Sequence, residues 1–307
     1  MNTDCLKISA PLQGYTDHIW RNAHSQCFGG VDVYCAPFMR IDHGAIRNRD
    51  INDISPSNNA VAVIRPQLLA SAPQEAVSLA TTIRDLGYNV IDINLGCPHP
   101  PVAHRHKGAG LLKYPDELAK MLEALTTVEG VSYTAKMRLG WDANDQWVRA
   151  LDVLAAIKPL HVAIHPRVGT QQYKGDLDME QAARFIEACP FPVMFSGNVE
   201  TVDDFNALIQ QFPMLKGIMI GRGLVARPYA FAPETKSNLP QFHDMLVQCY
   251  SERLNGGEAQ LVTKLKNLWE IFLPEADRKA RKDIKNSHNM SQYTTAAHDA
   301  INSVVND

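Results

Sequence analysis

Runs of apolar and β-branched residues recur along most of the chain, and segments with helical spacing separate them. The starts of eight such runs are 24 to 43 residues apart, which is enough for a strand, a helix and their loops. A parallel strand that is covered on both faces reads as a continuous apolar run rather than an alternating one. The eight runs begin at Lys7, Val31, Val61, Asn89, Ser132, Leu160, Pro192 and Lys216.

The intervening segments predict helices. Two of them, 73–87 and 115–128, open with proline beside acidic residues, and the first ends at Gly87, as is typical of an N1 proline and a C′ glycine. Eight strand–helix units predict an α/β fold, the (β/α)₈ TIM barrel. A doubly wound sheet is the alternative, but the even spacing and the absence of a GxGxxG motif favour the barrel.

The pattern changes after Arg222. A proline-containing connector over 227–241 leads into a sequence that is helical in character and has no strand-like run. We therefore expect two domains, a barrel over 1–235 and a small all-helical domain over 236–307.

The composition is that of a globular protein, with 45% apolar and 21% charged residues among 307. No run reaches the length of a membrane span, and the first residues show no basic segment followed by an apolar one, so neither a membrane partner nor a secretory signal is expected. Six cysteines without a CxxC motif predict reduced thiols in the cytoplasm. The net charge of −3 means that a nucleic-acid partner would need a local basic patch. We expect a monomer.

Candidate chemistry lies where the predicted strands end, because active sites of such barrels are built at the C-terminal ends of the strands. Gly197 and Gly221 follow the seventh and eighth strands, where backbone N–H groups can approach a phosphate, and Arg222 adds a cation. The alternative for these glycines is a simple turn.

Cys97 follows the fourth strand, where a thiol can act as nucleophile or general acid; for the other five cysteines we expect burial as small apolar residues. Lys136 and His165 are predicted on neighbouring strands and face one cavity, although an ion pair between Lys136 and Asp92 is equally compatible with the sequence. His99, His104 and His106 do not have the spacing of an ordinary metal site, so no metal is expected.

The strand-end motifs resemble those of the tRNA-dihydrouridine synthases. Asn94-Leu95-Gly96-Cys97-Pro98 is followed by Ala109-Gly110-Leu111-Leu112-Lys113, and five further motifs match in order and approximate spacing. They are Ala10-Pro11 with Gly14-Tyr15-Thr16-Asp17, Lys136-Met137-Arg138-Leu139-Gly140-Trp141, His165-Pro166-Arg167, Gln172-Tyr173-Lys174-Gly175 and Ile220-Gly221-Arg222-Gly223. The chain departs from the family pattern at Leu12, where Met is usual, and at Ser196-Gly197-Asn198, where Asn-Gly-Asp is usual.

This resemblance implies an enzyme that reduces the C5–C6 double bond of a D-loop uridine in tRNA, with FMN as cofactor and NADPH (or NADH) as reductant. It assigns Asn94, Arg138, Arg167 and Tyr173 to the substrate, and Cys97 as the acid that protonates C5. The implied contacts of the flavin ring are Pro11, Leu12, Gln13, Gln67, Lys136 and His165. The implied contacts of the FMN phosphate are Ser196, Gly197, Asn198, Gly221 and Arg222.

A basic segment in the C-terminal part meets the charge requirement. Arg278, Lys279, Arg281, Lys282 and Lys285 lie within eight residues, and a focused patch of this kind suffices for phosphate contacts. In isolation the segment reads as a solvated helix face, but beside the barrel motifs it indicates tRNA as the partner. The helical tail, with residues 265–273 before the basic segment, resembles the subfamily that acts at tRNA position 16 more than the one that acts at position 20. Two other functions remain open: an FMN barrel that acts on a free pyrimidine, and a non-catalytic RNA-binding barrel.

Overall fold

A computed structural model describes residues 5–306. Residues 1–4 and residue 307 lie outside the described residues. Residues 1–4 belong to the N-terminal segment in which no secretory signal is expected. Nine strands form one parallel sheet in the order β5-β2-β1-β11-β10-β9-β8-β7-β6, and β3 and β4 form a separate hairpin. The strands are β1 (Leu6–Ser9), β2 (Val33–Cys35), β3 (Ile41–Asp42), β4 (Ala45–Ile46), β5 (Ile64–Arg65), β6 (Gln67–Leu68), β7 (Val90–Leu95), β8 (Ser132–Gly140), β9 (Val162–Val168), β10 (Val193–Ser196) and β11 (Gly217–Ile220).

Pro66 divides one barrel strand into β5 and β6. β5 pairs with β2 and β6 pairs with β7, so the two halves close the sheet into a barrel of eight strand positions. Proline has no N–H for the ladder, but its carbonyl oxygen still accepts from the Asp92 backbone N–H at 2.9 Å. All eight predicted runs are strands of this barrel, so the predicted fold class is confirmed.

The helices follow the strands and cover the barrel. α3 opens with Pro73 at its first position, and Gly87 after its end has φ +98°, as predicted. The helices are α1 (His18–Cys27), α2 (Asn48–Ile54), α3 (Pro73–Asp85), α4 (Pro100–Ala103), α5 (Pro115–Leu125), α6 (Trp147–Leu154), α7 (Met179–Ala188), α8 (Val202–Gln211), α9 (Arg222–Ala226), α10 (Leu239–Arg253), α11 (Gly257–Leu268), α12 (Arg278–Asn286) and α13 (Met290–Val305).

Three apolar clusters hold these layers together, and the smallest consists of Phe38, Leu69 and Val102 with Cys97 packed against it. A small core fills the barrel and is made of inward side chains such as Ile8, Cys35 and Met219. The larger one lies between sheet and helices and continues into the C-terminal helices. None of the helices within residues 5–306 is long and apolar enough to cross a membrane.

The C-terminal helices pack directly on the first barrel helix. Phe242 of α10 lies 6.3 Å from the ring of Trp20 and 5.2 Å from that of Phe28, and Tyr250 donates to the Asp17 carboxylate at 2.8 Å. The predicted all-helical character of this part is confirmed. Because barrel and helices share buried aromatic contacts, removing the helices would expose part of the core.

Candidate active site

The predicted strand-end residues meet at one end of the barrel. Asn94 on β7 lies beside Lys136 on β8, and Arg138 on β8 lies beside His165 on β9. Gly221 follows β11, which pairs with β1, and an added Cβ there would lie 3.7 Å from the Leu12 side chain. The parallel register thus brings together residues that are far apart in sequence. Of the segment after β1, Pro11 and Leu12 are half-buried and Gln13 is exposed.

A chain of hydrogen bonds runs through the buried floor of the site. Thr134 donates to Asp92 at 2.6 Å, Gln67 donates to the other Asp92 oxygen at 2.6 Å, and Asn94 donates to the Gln67 carbonyl oxygen at 2.7 Å. The Asn94 oxygen accepts from the backbone N–H of Gly96 and Cys97. We call this chain, Thr134–Asp92–Gln67–Asn94, the amide relay.

The relay decides an alternative that the sequence leaves open. Both oxygens of Asp92 accept hydrogen bonds from neutral partners, Gln67 and Thr134. Asp92 and Lys136, both within the described part of the chain, form no ion pair. Asp92 and Thr134 were missed as site residues by sequence reasoning. Their signal is weak but present: Asp92 and Asn94, like Thr134, Lys136 and Arg138, follow the two-residue period of strand faces that point into the barrel.

Cys97 lies at the edge of this floor and is held by its backbone. Its N–H donates to Asn94, and its carbonyl oxygen accepts from the Ala109 N–H at 3.1 Å. Burial raises the pKa of the Cys97 thiol, so the protonated form is favoured. Gly110 lies so close to Ala103 that an added Cβ would be 2.2 Å from its carbonyl oxygen. The motif that begins at Ala109 therefore supports the motif that contains Cys97.

The two basic residues of β8 differ in how their charges are used. Burial, together with the nearby Arg138 guanidinium, lowers the pKa of Lys136 to about 8. Arg138 is 1% exposed and donates to the backbone oxygens of Gly96 and Val168. Arg138 therefore holds strand ends together, while Lys136 remains half-buried at the cavity.

His165 is surrounded by cations. Burial lowers its pKa well below the ordinary range, and the charges of Lys136, Arg138, Arg167 and Arg222 lower it further. Its ring Nε2 lies 3.1 Å from Nη1 of Arg167. Since an arginine can only donate, this nitrogen accepts and the Nδ1 of the neutral ring carries the hydrogen. His165 can thus donate one hydrogen bond to a ligand.

Tyr173 covers the cationic side of the site. The guanidinium of Arg222 lies 4.2 Å from the centre of its ring and that of Arg138 lies 5.3 Å away. The loop is held by Arg167, which donates to the Gly175 oxygen at 2.8 Å and to Asn198 Oδ1 at 3.3 Å. The tyrosine is 44% exposed, so its ring is available at the entrance.

The segment after β10 leaves little room for a side chain. Gly197 has φ +137°, and an added Cβ would lie 3.0 Å from the His165 ring and 3.1 Å from Leu177. Ser196 is buried and Asn198 is exposed. A side chain at position 197 would therefore clash, and this glycine lies between the ends of β10 and β11, where barrels of this kind bind phosphate.

The basic residues of α12 fall into two groups. Asp277 caps the helix at the Ala280 N–H, and Ala280 and Ile284 face inward. Arg281 lies on the same side and donates to the backbone oxygens of Trp269, Phe272 and Leu273. These hydrogen bonds stabilise the segment that follows α11. The exposed residues, which we call the α12 basic face, are Arg278, Lys279, Lys282 and Lys285.

The histidines after Cys97 do not converge. His106 stacks on Tyr114 at 3.7 Å and pairs with Glu117, whereas His99 and His104 are exposed. Within residues 5–306 the grouping with metal-ligand distances is His243, Asp244 and His298, on α10 and α13. There the buried Tyr293 hydroxyl accepts from Trp269 Nε1 at 3.0 Å and lies 2.9 Å from Nε2 of His243.

A separate groove of 770 Å³ lies on the outside of the barrel, between β1, α8 and the segment after α9. Lys7 lies there 5.4 Å from the Phe231 ring, and Arg227 pairs with Glu200 and Glu275. Its lining holds four acidic and two basic side chains, and it contains none of the strand-end residues. The candidate site remains the one at the strand ends.

Comparisons with known proteins agree with this geometry. A family model described as dihydrouridine synthase matches residues 8–304. A tRNA-dihydrouridine(16) synthase of Pseudomonas putida is 31% identical over 77% of this chain and 77% of its own length, and one of Aquipseudomonas alcaligenes is 33% identical over 71% of both chains. The tRNA-dihydrouridine synthase B of Vibrio cholerae is 28% identical over 73% of this chain and 69% of its own length.

Solved structures share the fold at low identity. A 2-naphthoyl-CoA reductase in complex with 2-naphthoyl-CoA has a TM-score of 0.54 at 9% identity, and covers 78% of this chain and 50% of that chain. At this identity the likeness concerns the barrel alone. The resemblance deduced from the seven motifs is confirmed by the family match, and the chain belongs to the dihydrouridine synthase family of oxidoreductases that act on CH–CH groups.

Proposed function

We propose that this enzyme reduces the C5–C6 double bond of a D-loop uridine in tRNA, with FMN in the barrel and NADPH (or NADH) as reductant. The observation that carries the proposal is the cluster of four cations around a neutral histidine at the same strand ends as a thiol whose pKa is raised. Such a cluster suits an anionic cofactor, and a protonated thiol suits proton donation. The names of the relatives support tRNA as the substrate and position 16 as the site.

The residues present fit FMN. The backbone at Ser196, Gly197, Asn198 and Gly221, with the exposed Arg222, would hold its phosphate. Pro11, Leu12, Gln13, Gln67, Lys136 and His165 would line the ring; Gln67 is 0% exposed, so its contact requires the side chains that cover it to move. When bound, reduced flavin supplies a hydride to an electron-poor double bond. The charge of Lys136 would stabilise an anionic ring beside it.

The chain's own residues supply orientation and a proton. Asn94 would hydrogen-bond the uracil, and Arg138, Arg167 and Tyr173 would border the pocket. After hydride addition at C6 of the base, C5 must be protonated. The Sγ–H of Cys97 would give this proton, because burial keeps the thiol protonated near neutral pH. The uridine must leave its stack to reach the pocket, so we expect a flipped base.

The α12 basic face is the proposed contact with tRNA phosphates. Its four side chains are exposed and follow one side of the helix, whereas Arg281 is engaged with backbone oxygens. The helical domain over 236–307 would thus dock the RNA while the barrel over 1–235 performs the reduction. We propose a monomer that acts in the cytoplasm, where its proposed substrate is found.

The test is a visible spectrum of the purified protein followed by incubation with NADPH and unmodified tRNA. We expect flavin absorption, bleaching by NADPH, and tRNA that gains the mass of two hydrogen atoms at one D-loop uridine. A protein that neither contains nor binds flavin would overturn the proposal and favour a non-catalytic RNA-binding barrel. Reduction of free uridine as readily as tRNA would favour a pyrimidine oxidoreductase.

A further inference from the structure

The Asn94 side chain has one hydrogen-bonding group left over. Its oxygen accepts from the backbone N–H of Gly96 at 3.1 Å and of Cys97 at 2.9 Å, which occupies both lone pairs. Its nitrogen donates one of two hydrogens to Gln67 at 2.7 Å. A backbone N–H can only donate, so the amide of Asn94 cannot be reversed at this end. The free group is a single N–H.

Gln67 is fixed from the other side. Its oxygen accepts from Asn94, and its nitrogen donates to Asp92 at 2.6 Å. Gln67 and Asp92 are both 0% exposed, so water does not substitute for these partners. Reversal of the Gln67 amide would place N–H against N–H at Asn94 and oxygen against oxygen at Asp92. The relay therefore has one order of donors and acceptors.

We propose that Asp92 is a positioning residue for the reduction: by accepting from Gln67 it holds the Gln67 oxygen against the Asn94 nitrogen, and this contact places the remaining Asn94 N–H as a donor to the substrate. The inference rests on the proposed function, in which Gln67 lines the flavin and Asn94 holds the base. A lone donor selects a carbonyl oxygen of the pyrimidine and disfavours an amino group at the same place. Thr134, which donates to the second oxygen of Asp92, orients the carboxyl group.

Three variants separate these contributions. D92L is close in shape and removes the acceptor for Gln67. T134V removes only the other hydrogen bond on Asp92 and is the matched control. In D92N the new amide oxygen can still accept from Gln67. Its NH₂ group then faces the Thr134 hydroxyl, which can accept as well as donate a hydrogen bond. D92N therefore serves as the conservative rescue.

The readouts are the FMN dissociation constant of the apoprotein, the KM for tRNA, the rate of flavin reduction by NADPH at saturating FMN, and the thermal midpoint. For D92L we expect the FMN dissociation constant and the KM for tRNA each to rise about tenfold, the loss typical of one buried hydrogen bond. Flavin reduction at saturating FMN stays unchanged. D92N binds FMN and tRNA like the wild type, and T134V shows a smaller loss of binding than D92L.

A double variant extends the test to the case in which D92L does not fold. In D92N/T134V the new amide has no acceptor at position 134. Either its NH₂ group stays unpaired, or the NH₂ group turns towards Gln67 and forces the Gln67 amide to reverse. We expect defects in FMN and tRNA binding that greatly exceed the sum of the two single variants. Additive effects, or D92L with wild-type binding, would overturn the inference. A wild-type protein without flavin or reductase activity would instead overturn the proposed function.

Discussion

Gly108 and Cys97 are in contact through their backbones. A Cβ added at Gly108, which has φ +59°, would lie 2.8 Å from the Cβ and 2.8 Å from the carbonyl oxygen of Cys97. The loop after α4 therefore packs against the thiol-bearing residue with no space for a side chain. The position of the proposed acid depends on a glycine eleven residues away.

This contact predicts a loss of activity for Gly108→Ala. The positive φ alone costs about 1–2 kcal/mol for a residue with a Cβ, and the clash adds to it by moving Cys97. We expect lower stability in urea unfolding and a slower uridine-dependent oxidation of the reduced enzyme. Gly87→Ala is the matched control, because Gly87 has φ +98° and an added Cβ would meet nothing within 4 Å. Equal activity of the two variants would show that the loop is not needed to place Cys97.

Cys97→Ala should separate the two half-reactions. Flavin reduction by NADPH needs no proton at C5 of uracil, so we expect it to be retained together with FMN binding. A positioned general acid contributes about 10²- to 10⁴-fold, and a loss of this size is expected in single-turnover oxidation by unmodified tRNA. Cys97→Ser should restore little, since a hydroxyl is a far weaker acid. Cys249→Ala, at a half-buried position on α10, is the control. An unchanged rate for Cys97→Ala would place the proton donor elsewhere.

Lys136 predicts a pH dependence of cofactor binding. The pKa of this lysine is lowered from 10.5 to about 8 by burial and by Arg138, so the charged form dominates below that pH and is lost above it. The affinity for the anionic FMN should therefore fall as pH rises through about 8; bound FMN itself favours the charged form and moves this fall to higher pH. Titration of FMN fluorescence between about pH 6 and pH 10 checks this.

Lys136→Met keeps the length of the side chain and removes the charge. We expect weak FMN binding that lacks this pH dependence. At high pH the FMN dissociation constants of variant and wild type should approach each other, because Lys136 of the wild type is then neutral. Lys113→Met is the control, because Lys113 pairs with Asp142 at the surface. A wild-type pH profile in Lys136→Met would assign the titration to another group.

The α12 basic face predicts salt-dependent tRNA binding. Replacing its four residues by Gln should weaken tRNA binding and lower the slope of log affinity against log salt by about 0.7 to 0.9 for each phosphate that is no longer neutralised. Flavin reduction by NADPH should not change. The control replaces four exposed cations of the barrel by Gln, at Lys120, Arg149, Lys158 and Arg184. The same slope in both variants would mean that the RNA surface lies elsewhere.

Arg281→Gln should behave differently from its neighbours. It removes three hydrogen bonds to the backbone oxygens of Trp269, Phe272 and Leu273. Because hydrogen bonds from a charged group contribute about 1.5–3 kcal/mol, we expect a clear loss in the free energy of unfolding. The tRNA affinity of the protein that remains folded should be unaffected. A change in affinity without a change in stability would include Arg281 in the RNA surface.

The sequence by itself determined the barrel, the helical end and the list of strand-end residues. The apolar runs are local, and a parallel strand buried on both faces has few alternatives. The helix starts at Pro73 and Pro115 are local as well, because an N1 proline acts on its own turn. The motifs that carry the family resemblance lie within short stretches of chain.

Only the tertiary structure decided which side chains face one another. The spacing of Asp92 and Lys136 allows an ion pair, but β6 brings Gln67 to Asp92 and occupies the carboxyl group. Arg281 looks like its basic neighbours in sequence and differs because α12 turns it towards the end of α11. These outcomes depend on partners 8 to 42 residues away, to which a local pattern does not respond. Each buried donor takes the acceptor that packing places within reach, since an unpaired polar group in the interior is costly.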